Sequence, residues 1–476
     1  MRPGQDTGTV SQSSTETWTD RKRYLWLIGL VVPSLAFVAI AMHQLTDWAV
    51  WLWLGPVVIL VIVPAIDLIA GLDRSNPPDD VIEALEKDKY YRWITYAFLP
   101  IQYAGFITAF YLISGDSLSM FEKVGLAISI GCIGGIGINT AHELGHKKES
   151  HERWLSKIAL AQSFYGHFYI EHNRGHHVRV ATPEDPASSR MGENLYQFWP
   201  RTVLGSVKSA WHLEKKRYAR RDQHPFRLGN DVLNAWLMSA VLWGAMIVAF
   251  GVEILPYLII QAVVGFSLLE VVNYLEHYGM LRQQVGPPDR RRYERVAPSH
   301  SWNSNNIATN VLLYHLQRHS DHHANPTRRY QTLRDFEESP VLPTGYAGMI
   351  VLAMIPPVWR RVMDPRVVAH FGGDLTKANI SPRRRDKMLA KYGTAAPAPS
   401  AEGAADADVD QVRTPASLIH VGQCPSCGYV YDENVGDPRE GFPAGTPWSA
   451  VPDNWCCPDC GVREKIDFRP VTKVGV

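Results

Sequence analysis

Six stretches of this chain stay apolar for long enough to cross a bilayer as a helix, which takes roughly 20 residues. They run over about 23–42, 48–71, 90–113, 122–141, 232–250 and 254–275. A helix on the surface of a soluble core would show polar positions every turn. Here the runs are nearly continuous, and Val57 to Ile69 is interrupted by Asp67 alone. The pattern predicts an all-α integral membrane protein with six transmembrane helices. Two further apolar stretches, 154–170 and 347–359, are too short or too broken by Pro356 and Pro357 to span, and are expected at the interface or as caps on the bundle.

Lys and Arg near the span ends set the orientation. Arg21, Lys22 and Arg23 precede the first span, Arg74, Lys87, Lys89 and Arg92 separate the second from the third, and a long basic segment follows the fourth. The opposite connections, 43–47, 115–123 and 251–253, hold one Lys in total. Both termini are therefore expected on the cytoplasmic side of an inner membrane.

The polar remainder divides at residue 393. Positions 393–417 are rich in Ala, Pro, Gly and acidic residues and read as a linker, and positions 1–20, rich in Ser and Thr, read as a disordered lead. The expected parts are a membrane domain over 21–392 and a small domain over 418–476, too short for an apolar core alone and so expected to hold a metal. The 476 residues carry a net charge of +1, which argues against a nucleic-acid binder.

Chemistry enters with the histidines. His142 and His146 form an HxxxH pair, His172, His176 and His177 a cluster with His167 upstream, His277 stands alone, and His319, His322 and His323 form an HxxHH triple. On an α-helix His172 and His176 share a face, with His177 beside them. Neutral imidazole is the commonest nitrogen ligand of iron, copper and zinc, and nine exceed what one ion can use. A pair of metal ions is expected. The topology places all four groups just below one membrane surface, and of the 18 histidines His43 alone falls in an outer connection. His315 is read as packed among Leu312, Leu313 and Leu316, and His151, His212, His224, His300, His370 and His420 as surface or core residues.

Five of the six cysteines crowd the last 53 residues. Cys424, Cys427, Cys457 and Cys460 make two CxxC pairs with 29 residues between them, a tetrahedral thiolate site that spacing alone would grant to zinc or iron. Both knuckles have the form CPxCG, and Tyr429, Tyr431, Phe442, Trp448, Trp455 and Phe468 supply an aromatic core. The segment resembles rubredoxin, which implies one iron and one-electron transfer. Cys456 is an extra thiol without an assigned role.

With the spans in place, the boxes HELGHK, EHNRGHHVRVATPEDPASS, NYLEHYG and LQRHSDHH resemble those of the AlkB-type membrane alkane hydroxylases over most of residues 20–380. The resemblance implies two non-haem irons held by His142, His146, His172, His176, His177, His277, His319, His322 and His323. It implies O2 as co-substrate and terminal hydroxylation of a medium-chain alkane drawn from the bilayer, with electrons from the fused rubredoxin. A membrane fatty-acyl desaturase, another His-box hydroxylase, or a metal carrier are the alternatives. Glu171 and Glu276 are expected to accept the outer N–H of ligand imidazoles; Glu143 and Asp321 receive no role. Trp51, Trp53 and Trp93 are candidates to close the substrate cavity. Partners are membrane lipid and an NAD(P)H-dependent flavin rubredoxin reductase, since the chain has no dinucleotide fingerprint. Between His142 and Asn230 there are 15 Lys/Arg against 9 Asp/Glu, and from Ser417 to Val476 there are 5 against 8, so the small domain is expected to dock on the basic face.

Overall fold

The computed structural model describes residues 18–288, 291–393 and 420–471. Most of the expected lead and the linker from 394 onward therefore lie outside the described residues. Among the described residues six helices are long and apolar enough to cross a membrane: α1 (Leu25–Thr46), α2 (Ala49–Ala70), α3 (Lys89–Ser114), α4 (Met120–Gly145), α7 (Asp231–Phe250) and α8 (Val252–Glu276). Between α4 and α7 lie α5 (Ser150–Ala161) and α6 (Leu195–Ala219), and after α8 come α9 (Ile307–Leu312), α10 (His319–Ala324), α11 (Tyr346–Ala353) and α12 (Pro356–His370).

The helix starts follow from side chains that satisfy the free N–H groups of a first turn. Asp88 accepts from Tyr90 N before α3, Ser119 and Glu122 form a capping box on α4, and Asn230 accepts from Val232 N and Leu233 N on α7. In α2 the chain winds as a π turn over Val58–Ile62, which ends two residues before Pro64, a residue with no N–H for the Leu60 carbonyl. Helix α4 is the most enclosed of the six. It approaches α8 closely because it carries glycine at the contact: a Cβ on Gly131 would lie 2.7 Å from the Gln261 carbonyl oxygen, and one on Gly135 3.0 Å from that of Gly265. Outward-facing Leu68, Ile69 and Val248 are 78–88 % exposed, which suits contact with lipid rather than water.

Asp67, the one charge in its apolar run, is buried and points back into the protein. Its carboxylate accepts from Thr309 N at 2.9 Å and from the Thr309 hydroxyl, tying the end of α2 to α9. Of the two stretches expected as caps, the first forms α5 against α4 and α7, and the second forms α11 under the end of α8, broken from α12 before Pro356. A short hairpin, β1 (Gln284–Val285) with β2 (Arg292–Tyr293), follows α8. The small domain is a three-stranded antiparallel sheet in the order β4–β3–β5, built from β3 (Val421–Gln423), β4 (Val430–Asp432) and β5 (Arg469–Pro470). Tyr431, Phe442, Trp448, Trp455 and Phe468 fill its core, with Tyr429 packed against them.

Candidate metal centres

The nine imidazoles from four boxes meet at one buried place, in two groups. His142, His146, His172, His177 and His322 form a group of five, and His176, His277, His319 and His323 a group of four. The division cuts across the boxes, and local helix geometry explains how. His142 and His146 stand one α-helical turn apart on α4 and share a group. Glu171–His176 winds as a π-helix, not the α-helix expected from spacing, so His172 meets His177 with the Nε2 atoms 3.0 Å apart, while His176 turns to the other group. On α10, His319 and His323 share the group of four at 2.8 Å, and His322 faces the group of five, 2.9 Å from His142 Nε2 and 3.2 Å from His177 Nε2.

Two neutral rings that point lone pairs at each other across 3 Å repel, unless a cation sits between them. Imidazole nitrogens about 2.0–2.1 Å from an ion and at right angles stand about 3 Å apart. The observed 2.8–3.2 Å spacings match that arrangement. His146 Nε2 and His176 Nε2 are buried with no hydrogen-bond partner among the described residues, as atoms aimed at an ion would be. Burial, reinforced by the charge each ring would place on the others, pushes His146, His172, His177, His319, His322 and His323 well below the ordinary imidazole range. Burial thus favours the neutral form of these six rings, the form in which an imidazole can bind a metal ion. The residues fit two metal ions.

The outer partners differ in part from those expected. Glu276 Oε1 lies 3.2 Å from His319 Nδ1, at ion-pair distance but off the N–H line. Glu171 reaches no imidazole among the described residues; Arg179 donates to it at 2.9 Å and draws it away from the rings. Asp185 takes the role instead, 2.9 Å from His176 Nδ1, and itself accepts from the Ser188 hydroxyl at 2.6 Å. Its signal was the PEDP stretch within the second box. Glu143 pairs with Lys147 and Asp321 with Arg328. His315 packs against Trp26 with Nδ1 2.9 Å from the Tyr330 carbonyl, and His167 lies outside both groups beside Tyr165.

An apolar cavity ends on these rings. Ile59 and Val63 of α2, Ile136 of α4 and Leu268 and Leu269 of α8 wall it, and His142, His172 and His319 close one end. From Gly135 to His142 it follows α4 for about 10 Å at roughly 1.5 Å per residue. Trp51, Trp53 and Trp93 are not among its walls; Trp53 packs against Phe121 and Trp93 faces outward.

In the small domain Cys424, Cys427, Cys457 and Cys460 converge, with Sγ separations of 3.5 Å (Cys427–Cys457) and 3.7 Å (Cys424–Cys460). Four thiolates about 2.3 Å from one ion stand about 3.8 Å apart. Gly428 and Gly461, at φ +74 and +69, close the two knuckles in the left-handed region that glycine adopts freely. Cys456 lies outside the cluster, and burial with Glu464 nearby pushes its thiol up to about 12.

Comparison with known proteins agrees with both centres. The fatty acid desaturase family model matches residues 123–353, which hold all four histidine boxes, and the rubredoxin model matches residues 422–468. The alkane 1-monooxygenase of Acinetobacter baylyi is 49 % identical over 381 residues, covering 79 % of this chain and 93 % of that protein. That of Pseudomonas putida is 45 % identical over 379 residues, covering 80 % and 94 %. The chain belongs to the alkane 1-monooxygenase family. Its C-terminal part is a rubredoxin, 78 % identical over 49 residues to rubredoxin 3 of Rhodococcus erythropolis, of which it covers 80 %.

In this alkane 1-monooxygenase family member the rubredoxin is seated directly over the second histidine box. Glu440 is buried between Arg174 Nη1 at 2.9 Å and Arg220 Nη2 at 2.8 Å. Burial alone would raise its carboxyl, but the two guanidinium groups outweigh it and hold it below the ordinary range. Arg439 reaches Asp231 at 2.7 Å, Arg295 reaches Asp467 at 2.7 Å, and Lys148 donates to the Cys427 carbonyl. Arg174 and Arg220 belong to the basic segment, whereas Arg439 reverses the sign of the pairing. At the second knuckle a Cβ on Gly461 would lie 2.5 Å from the Asn173 carbonyl oxygen and 3.7 Å from His177 Cβ, so only glycine lets the knuckle touch the box.

Proposed function

We propose that this chain is a membrane alkane hydroxylase that converts the terminal methyl group of a medium-chain alkane to a primary alcohol, using O2 and electrons from its own rubredoxin. One observation carries the reading: an apolar cavity among membrane-crossing helices ends on two imidazole groups, and a four-cysteine domain sits against the other side of them. The nine clustered histidines would hold two irons and the four cysteines a third, in a hydroxylase domain over 21–392 and a rubredoxin domain over 418–476. The positive ends of the connections support placing both centres on the cytoplasmic side of the inner membrane. A flavin-containing, NAD(P)H-dependent rubredoxin reductase would supply the electrons.

The reaction balances as alkane + O2 + 2 electrons + 2 protons → alcohol + water. When bound, the two irons supply the reduction of O2 to an oxidant able to break an unactivated C–H bond. The rest falls to the protein. The cavity walls admit a chain without polar groups and exclude water, so the methyl end is held at the rings by shape. Asp185 accepts from His176 Nδ1 and fixes that ring with Nε2 facing inward. The Gly461 knuckle brings the thiolates against the Asn173 carbonyl, within the same histidine box as His177.

The test is product analysis on the purified protein in lipid with NAD(P)H, a reductase and alkane, alongside metal quantification. Alcohol carrying one added oxygen and three irons per chain are expected. Loss of two hydrogens from a fatty acyl substrate, with no alcohol from alkane, would transfer the chain to the desaturases, and zinc in place of iron would remove it from oxygen chemistry.

A further inference from the structure

The cavity walls are apolar along the spans, and their polar members gather at the end that faces the imidazoles. Two of these are asparagines, Asn139 of α4 and Asn273 of α8. Amides inside membrane-crossing helices are costly unless satisfied or used. In both, the nitrogen is pinned. Asn139 Nδ2 donates to the Leu313 carbonyl at 2.7 Å. Asn273 Nδ2 donates at 3.2 Å to Glu270, a buried carboxylate that also accepts from the Tyr165 and Thr202 hydroxyls, each at 2.7 Å. A carbonyl and a carboxylate only accept, so each amide must turn its N–H toward them and its oxygen away. Among the described residues no donor reaches Asn139 Oδ1 or Asn273 Oδ1, and both side chains line the cavity.

We propose that the carbonyl oxygens of Asn139 and Asn273 form a hydroxyl-binding pair at the metal-facing end of the cavity, a site for the primary alcohol that offers nothing to the alkane. The inference rests on the hydroxylase reading above. An alkane has no donor, so both oxygens go unused in the substrate complex. Oxygen insertion creates an O–H on the carbon, and the second oxygen atom of O2 leaves as water. Each oxygen-bearing product thus has an acceptor beside the centre. A contact made by the product and absent from the substrate favours the forming O–H over the C–H it replaces, and it also slows alcohol release. Glu270, Tyr165 and Thr202 act through Asn273 as positioning residues.

The experiment compares Asn139→Leu and Asn273→Leu with the unaltered iron-loaded protein in lipid, measuring equilibrium binding of labelled 1-octanol and of octane. Partition into lipid cancels in the ratio of variant to parent. Each variant is expected to bind 1-octanol about fivefold to tenfold more weakly, the size of one lost hydrogen bond, with octane binding changed less than twofold and iron content kept. Asn273→Ser, which keeps an oxygen, should recover part of the loss. Octanol and octane weakened together, or neither weakened, would overturn the proposal. If a Leu variant loses iron, the Ser variant decides by the same split. Failure of the parent protein to make alcohol from octane would defeat the hydroxylase reading instead, and the alcohol-binding ratio would still judge the asparagine pair.

Discussion

The cysteine site draws its four ligands from two short knuckles, Cys424–Cys427 and Cys457–Cys460, each closed by its own glycine turn. The nine imidazoles come from four segments between His142 and His323, and neighbours in sequence part company: His176 from His177, and His322 from His323. The first site needs only a sheet and an aromatic core to bring two knuckles together. The second exists only when α4, α8, α10 and the π turn are all in register. A local site can be carried from protein to protein as a module, whereas the histidine centre belongs to the whole membrane fold.

That contrast sets the largest predictions. His322→Ala and His323→Ala alter adjacent residues in different groups, and each should abolish alcohol formation and lower iron from three per chain toward one, because the groups share α10 and the second box. Loss of one iron with the other fully retained would show the groups to be independent. Cys457→Ser should remove one iron and leave two. NAD(P)H-driven turnover should stop and return in part when a separate rubredoxin is added. If Cys457→Ser also strips the histidine irons, the small domain is no module.

The same contrast explains what the sequence disclosed. The spans, the four boxes and the thiolate pairs were legible because they rest on local pattern: apolar length, HxxxH and CxxC spacing. The division into five and four was not, since α-helical spacing pairs His172 with His176, and the π turn that pairs it with His177 depends on packing around the box. Acidic neighbours were legible as a class but not as individuals. Adjacency favoured Glu171, yet Arg179 claims it, and Asp185 reaches His176 from nine residues away. Bulk suggested Trp51, Trp53 and Trp93 as cavity residues, but a tryptophan in a span can face another helix or lipid equally well.

Asp185→Asn sharpens the comparison from the histidine side. The carboxylate is held well below its ordinary range although burial opposes it, because His176 and the Ser188 hydroxyl favour the charged form. An amide in its place would still hold the ring by hydrogen bonding but without the charge. Iron should be retained about 10–100-fold less well against a chelator, the usual cost of losing such a partner, while the thiolate iron stays. Unchanged retention would make Asp185 a structural group only.

The smallest effect tests whether the two sites, so differently built, work as one unit. Glu440 of the small domain is gripped by two membrane-domain arginines and is buried. Glu440→Lys leaves the four cysteines untouched but sets a cation against Arg174 and Arg220. Turnover with the fused domain should fall about tenfold, since tethering keeps the local concentration high even when the seat is weakened. The loss should shrink as salt screens the repulsion. Arg220→Glu in the same chain should restore part of the rate by re-forming one pair with the sign reversed. A rate unaffected by Glu440→Lys at low salt would mean that electrons cross from some other seat, and the close approach of Gly461 to Asn173 would then not be the route.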